Sequence, residues 1–169
     1  MQSLRLPATE DNLPHFLQFA QEAAEAAGLD MGSAQRVELV LEEALVNVIR
    51  HAYAQTTPEA QRPVELSANV DPDGVLRLTL KDWGQPFDPV GPPPAPLNAP
   101  LPLDELPDPL TAELEATLLS NLEADLEHRA LGGMGLFLIR TMSEPSYARQ
   151  DEANVLSLRF APQEDQAGE

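Results

Sequence analysis

Glu43 and Asn47 lie four residues apart in a stretch of helical spacing, so they share one face of a helix, one turn from each other. A carboxylate at the margin of a buried stripe can take a proton from water or from an incoming hydroxyl group. The neutral oxygen of a carboxamide suits Mg²⁺, which keeps several waters and shares substrate phosphates. The simpler interpretation is that both side chains solvate a helix. The pair gains meaning only if the rest of the chain supplies a nucleotide site.

Two glycine-containing motifs are the further candidates. Asp82 and Gly84 follow an alternating run at a strand end, where the carboxylate can accept a hydrogen bond from an exocyclic amine such as N6 of adenine, and the glycine lets the backbone approach a base. Gly132, Gly133 and Gly135 open a helix, whose exposed N–H groups attract phosphates. Each motif alone is usually only a turn or a helix entry. Their occurrence in this order is much more specific.

A central helix must position the first pair of residues. The stretch from Ser33 to Gln55 predicts this helix, with Ser33 as its N-cap. Its apolar residues recur at helical spacing and predict one broad buried stripe. These residues are Val37, Val40, Leu41, Ala44, Leu45, Val48, Ile49 and Ala52.

Short strands and one more helix complete the predicted core. A helix capped by Thr9 or Asp11 should run to about Ala27 and end at Gly28. The DPDG sequence between two alternating runs predicts a β-hairpin, and a second hairpin should close the chain. The expected strands are 3–6, 64–70, 75–80, 146–150 and 154–160, and a disordered tail is expected over 161–169.

Length and charge narrow the class of protein. The 169 residues predict a single domain over 1–160, and the net charge of -18 makes nucleic acid and anionic membrane poor partners. The chain has no cysteine, no apolar N-terminal signal and no apolar run of membrane-spanning length, which fits a cytoplasmic location. The three scattered histidines argue against a zinc site.

An unusual segment, 90–130, interrupts the predicted core. Ten of the 17 prolines fall between Pro86 and Pro109, and no Lys or Arg occurs from Gly91 to His128, against eight acidic residues. Proline of this density prevents regular structure in the first half. The second half, 111–129, predicts a helix with leucines along one face. We expect an excursion from the core, part loop and part helix.

These motifs together resemble the GHKL superfamily of ATP-binding domains. EEALVNVIRHAY is similar to its N box, DWGQPFDP to its G1 box and GGMGLFLIRTMSE to its G2 box. Within the superfamily the chain most resembles the anti-sigma-factor serine/threonine-protein kinases (RsbW-like), in which HAY, FDP and GLFLI are typical. The resemblance covers Ser3 to Phe160. It implies an α/β (α+β) two-layer sandwich, the Bergerat-type ATP-binding fold, with a mixed, mainly antiparallel sheet and helices on one face.

The resemblance also implies roles for individual residues. Glu43 occupies the catalytic-base position and Asn47 the Mg²⁺ position, while the segment 90–130 takes the place of the ATP lid. Pro86 stands where many G1 boxes have a second glycine. Arg129 and Arg140 are the cations left for phosphate contacts. The residues expected to bind ATP are Asn47, Asp82, Gly84, Phe87, Arg129, Gly132, Gly133, Gly135 and Leu136.

These features are compatible with three functions. The first is a kinase that uses ATP and Mg²⁺ to phosphorylate a serine or threonine of a STAS-domain antagonist, with a sigma factor as a further partner and a homodimer as a possible assembly. The second is an anti-sigma or partner-switch binding module that is catalytically weak or inactive. The third, the catalytic module of a histidine kinase, is disfavoured because only one strand and one helix, containing His15, precede the central helix.

Overall fold

The computed structural model describes residues 1–91 and 134–162. Most of the predicted excursion, including Arg129, and the glycines Gly132 and Gly133 lie outside the described residues, as does the tail from residue 163. Residues 1–90 pack with residues 135–162 into one compact unit. The helices are α1 (Leu13–Ala26), α2 (Met31–Asn47) and α3 (Met134–Met142), and the strands are β1 (Gln2–Pro7), β2 (Pro63–Val70), β3 (Leu76–Asp82), β4 (Glu144–Gln150) and β5 (Ala153–Phe160).

The strands form one five-stranded sheet in the order β1-β2-β3-β5-β4. All four pairings between the described strands are antiparallel. Both predicted hairpins are present, and the first turns at the DPDG sequence, where the Gly74 N–H donates to the Asp71 carbonyl at 2.9 Å. The sheet and helices confirm the predicted α+β fold.

Side-chain alternation gives the sheet one buried and one exposed face. On the inner face Leu66, Leu80 and Leu156 lie opposite one another across three neighbouring strands. They join a single apolar cluster with Phe16 of α1 and Leu41 of α2. Apart from the buried Ala153 at the start of β5, the residues that alternate with them in these three strands are partly or fully exposed. The helices therefore cover one face of the sheet, and the core lies between the two layers.

The ends of α2 differ from the expectation drawn from sequence. The helix begins at Met31, and its N-cap is Asp30 rather than Ser33: the Asp30 side chain accepts bonds from the Ser33 backbone N–H and hydroxyl, each at 2.9 Å. The helix ends at Asn47 and continues as a π-helical turn, Val48–Ala52, instead of reaching Gln55. Such turns are rare and often mark functional sites. Among the described helices, none is long and apolar enough to cross a membrane.

The start of α1 also differs. A short 3₁₀ turn, Glu10–Asn12, precedes the helix, and neither Thr9 nor the N-cap Asn12 caps it with a side-chain hydrogen bond. The predicted end is confirmed, since α1 stops at Ala26 and Gly28 follows with a φ of 71°.

Gly84 joins the end of β3 to the end of the π-helical turn. A Cβ atom on Gly84 would lie 2.2 Å from the Ala52 carbonyl oxygen, which the next residue, Gln85, binds through its backbone N–H at 2.8 Å. Only glycine permits this approach. The sequence placed Gly84 beside a base, whereas the structure shows that its immediate steric constraint is the helix carrying Asn47.

We expect Gly84→Ala to lower the free energy of unfolding by on the order of 1–3 kcal/mol, because the added methyl group overlaps backbone that cannot rotate away. Gly32→Ala is the matched control: its Cβ would meet only the Asp30 side chain, at 3.2 Å. The control should change the stability by less than about 1 kcal/mol. Urea denaturation of both variants measures the difference. Equal stabilities would contradict the close packing of Gly84 on Ala52.

Candidate functional site

A buried carboxylate, Asp82, ends β3 on the inner face of the sheet and is 5% exposed. Its Oδ1 accepts the Gly84 N–H and the Asn154 Nδ2–H, each at 2.9 Å. Oδ2 accepts no hydrogen bond from any residue within 1–91 and 134–162. The carboxylate therefore offers one oxygen to a ligand while the other is fixed by the protein.

Burial raises the pKa of Asp82, because the charged form loses solvation. The hydrogen bonds from Asn154 and Gly84 and the positive charge of Arg149 act in the opposite direction. Burial dominates, so keeping this group ionised costs folding free energy. A buried acceptor held against that cost is typical of a functional site.

Asp82 faces a small, mostly apolar cavity of about 30 Å³ between α2, β3, β5 and α3. Asn47 enters it from the end of α2, and Phe87 and Pro89 line it from the loop that follows β3. This combination, an apolar cavity with a few converging polar groups, is typical of small-molecule sites. The lining residues are Ala44, Asn47, Val48, Leu80, Asp82, Phe87, Pro89, Ile139, Tyr147, Asn154 and Leu156.

Glu43 lies one turn before Asn47 and is 7% exposed, so it is not a solvated surface residue. A Cβ atom on Gly135 would lie 2.6 Å from Glu43 Oε2. Glycine at position 135 therefore lets the first turn of α3 approach this carboxylate. Gly135, the described glycine of its motif, therefore lies beside Glu43, although the two residues are far apart in sequence.

The other predicted site residues are placed differently. Leu136 lies in the first turn of α3 and is half-buried, without lining the cavity. Phe87 lines the cavity and is 44% exposed. Arg140, considered for phosphate contacts, donates from Nε to the Pro89 carbonyl at 3.2 Å. It therefore contributes to holding the loop after β3. Arg129, Gly132 and Gly133 lie outside the described residues.

Asn154, Tyr147 and Arg149 were not recognised from the sequence. Asn154 pairs with Asp82 across β3 and β5, and it is 5% exposed. A signal was present: in NVLSLRF it occupies the phase of the buried residues Leu156, Leu158 and Phe160. A polar residue at an inner position needs partners and marks a candidate site.

The comparison with protein families matches residues 6–160 to the histidine kinase-like ATPase domain. The chain belongs to this family. The match confirms the resemblance found in the three boxes, and membership of an ATPase-domain family implies nucleotide binding. No curated protein matched the chain.

Solved structures share the fold at low sequence identity. A chain in the crystal structure of the SiaB–SiaC complex from Pseudomonas aeruginosa is 16% identical, with a TM-score of 0.51, over 95% of this chain and 89% of that one. The histidine kinase domain of a blue-light activated histidine kinase from Erythrobacter litoralis EL346 is 17% identical, with a TM-score of 0.45, over 91% of this chain and 60% of that one. At 16% identity, the similarity to the chain of the SiaB–SiaC structure shows a shared fold only.

Asp82→Asn should stabilise the ligand-free ATPase domain and weaken nucleotide binding. The amide oxygen can accept the two bonds now made to Oδ1, while the burial cost of a charge disappears. Because the native pKa is raised, the wild-type free energy of unfolding should fall as pH rises from the unfolded pKa of Asp82 through its native pKa. The variant should lack this component.

Urea denaturation across pH 3–8 measures the stability of both proteins, and calorimetry with ATP measures binding. We expect a loss in ATP affinity of about 10- to 150-fold, the usual effect of losing a hydrogen bond to a charged group. Equal ATP affinities would remove Asp82 from the nucleotide site, whatever the stabilities.

Proposed function

We propose that this chain is a cytoplasmic serine/threonine protein kinase that uses Mg²⁺-ATP to phosphorylate a STAS-type antagonist in a partner-switching system. The observation that carries the proposal is the meeting of Glu43 with the first turn of α3 at Gly135, one helical turn from Asn47 at the cavity of Asp82. Asp82 and Asn47 lie at the cavity, and the start of α3 lies beside the Glu43 carboxylate. In this proposal the base of the nucleotide lies at Asp82 and its phosphates lie at the start of α3.

Groups at the two ends of this proposed site would orient the nucleotide. Asp82 Oδ2 accepts the adenine amine inside the apolar cavity. The start of α3 lies next to Glu43, and in this proposal the backbone N–H groups of its first turn bind the phosphates. Gly132, Gly133 and Arg129 would extend this phosphate site, and Leu136 would support it from the first turn of α3.

The described residues fit Mg²⁺ only if the ion is also bound by the phosphates of the nucleotide. The described residues contain no cluster of three or more His, Cys, Asp or Glu able to hold a metal ion. Asn47 supplies one neutral oxygen, and Mg²⁺ commonly takes one or two protein ligands while keeping waters and phosphate oxygens. The ion would neutralise charge developing on the phosphates.

Glu43 would act on the acceptor hydroxyl group. The hydroxyl oxygen of the partner attacks the γ-phosphorus, the bond to the β–γ bridging oxygen breaks, and ADP leaves with those electrons. The hydroxyl proton passes to a Glu43 oxygen. A Cβ atom at position 135 would require the Glu43 carboxylate to shift, so glycine there lets Glu43 stay beside the proposed phosphate end of the site.

The cavity must widen to admit a purine. Its volume of about 30 Å³ is well below the roughly 300 Å³ or more of ordinary ligand pockets. The loop carrying Phe87 and Pro89 forms one wall of the cavity, and the Phe87 side chain is 44% exposed. Outward movement of this loop on binding is part of the proposal.

The partner is inferred from family resemblance and one structural similarity. The HAY, FDP and GLFLI motifs resemble the anti-sigma-factor kinases, and the similar fold in the SiaB–SiaC structure comes from a complex of two proteins. A sigma factor as second partner and a homodimer belong to the same proposal. The small cavity favours one alternative, an anti-sigma binding module with little or no kinase activity.

Glu43→Gln should preserve Mg²⁺-ATP affinity and reduce phosphotransfer by roughly two to four orders of magnitude, because the amide keeps the shape but accepts no proton. Asn47→Ala should instead weaken nucleotide binding only when Mg²⁺ is present. Calorimetry with and without Mg²⁺ and radiolabel transfer to STAS-domain candidates measure both effects.

Glu38→Gln, at an exposed position of α2, is the control and should behave as wild type. Full phosphotransfer by Glu43→Gln would exclude Glu43 as the base. Wild-type protein that binds ATP but transfers no phosphate to any partner it binds would favour the alternative.

A further inference from the structure

Asn154 makes more hydrogen bonds around the cavity than its role in a strand requires. Its Nδ2 donates both hydrogens, one to Asp82 Oδ1 and one to the Gln85 carbonyl, each at 2.9 Å. One side chain on β5 therefore holds the carboxylate at the end of β3 and the loop that follows it.

The carboxamide oxygen of Asn154 also accepts several hydrogen bonds. It accepts the Tyr147 hydroxyl at 2.8 Å, the Arg149 guanidinium at 2.9 Å and the Phe87 N–H at 3.3 Å. With three donors on one side and two acceptors on the other, only one amide orientation satisfies the network. Turning the amide over would place its oxygen against the carboxylate.

Arg149 strengthens this arrangement from the edge strand. The same guanidinium nitrogen that binds Asn154 also donates to the Gly84 carbonyl at 2.9 Å. A charged donor on the carboxamide oxygen polarises the amide and strengthens the bond that Nδ2 gives to Asp82. Arg149 of β4 thus contacts the loop after Asp82 directly, at the Gly84 carbonyl, and contacts Asp82 indirectly through Asn154 of β5.

We propose that Asn154 is the positioning residue that makes Asp82 specific for a 6-amino purine. Its bond occupies Oδ1 and fixes the plane of the carboxylate, so that Oδ2 alone faces the ligand as an acceptor. Purines with a carbonyl at C6 then meet an acceptor with an acceptor and are rejected. This inference rests on the proposed nucleotide site.

The experiment compares ADP with IDP, which differs in carrying a carbonyl at C6, in the presence of Mg²⁺. Calorimetry with the full chain should show that the wild type prefers ADP. In Asn154→Leu the carboxylate keeps only the Gly84 N–H, so its plane is less firmly fixed. The ADP affinity should therefore fall about 10- to 150-fold, while the IDP affinity changes little. The ADP:IDP preference should therefore collapse.

Two further variants separate positioning from simple destabilisation. Tyr147→Phe removes one donor to the carboxamide and should reduce the preference about two- to tenfold, and it serves also if Asn154→Leu does not fold. Ser157→Ala, on the same strand, removes a hydroxyl that lies 3.4 Å from Thr79, and it should leave the preference unchanged.

The outcomes distinguish the two levels of inference. A wild type that prefers ADP, with a preference undiminished in Asn154→Leu and Tyr147→Phe, overturns the role of Asn154 and leaves the nucleotide site standing. Parallel losses of ADP and IDP affinity show a structural role only and also overturn it. A wild type that does not distinguish ADP from IDP overturns the reading of adenine by Asp82 and with it the proposed site.

Discussion

The Asp82 carboxyl group, buried at the end of β3 on the inner face of the sheet, is the constraint on which the candidate site depends. Burying a charge is costly unless it is hydrogen-bonded. The chain meets that cost with a backbone N–H from Gly84 and an amide N–H from Asn154, both on the same oxygen. Both described donors lie on one oxygen, and the other is the one proposed to accept a hydrogen bond from a ligand. The hydrogen bonds that reduce the cost of burying Asp82 are thus the same bonds that orient its carboxyl group in the candidate site.

Two glycines allow the close contacts that bring the elements of the candidate site together. Gly84 lets the loop after β3 contact the Ala52 carbonyl, which fixes the strand end against the helix that carries Asn47. Gly135 lets α3 contact Glu43 of the same helix. Helix α2 and the turn that continues it are therefore the common reference for the ends of the candidate site proposed to bind the base and the phosphates. A side chain at position 84 would overlap backbone and separate the two elements, whereas one at position 135 would displace the Glu43 carboxylate.

Much of this arrangement could be predicted from the sequence. Alternation and turn residues predicted both hairpins, and helical spacing predicted α2, because these signals are local. The cap of α2 was assigned to Ser33 instead of Asp30, since both residue types cap helices and only the hydrogen bonds decide. The pairing of Asp82 with Asn154 was out of reach because it depends on the register of strands 72 residues apart. Family resemblance supplied the roles of Glu43 and Asn47, which spacing alone left open.

The central claim is that Asp82, Asn47 and the start of α3 bind the successive parts of one Mg²⁺-nucleotide. A crystal structure of the full chain with Mg²⁺ and a non-hydrolysable ATP analogue tests it most directly. The account predicts the adenine amine within hydrogen-bonding distance of Asp82 Oδ2, the metal on the Asn47 oxygen and the phosphates at the start of α3. An analogue bound elsewhere, or bound with Asp82 Oδ2 facing no ligand donor, would contradict it.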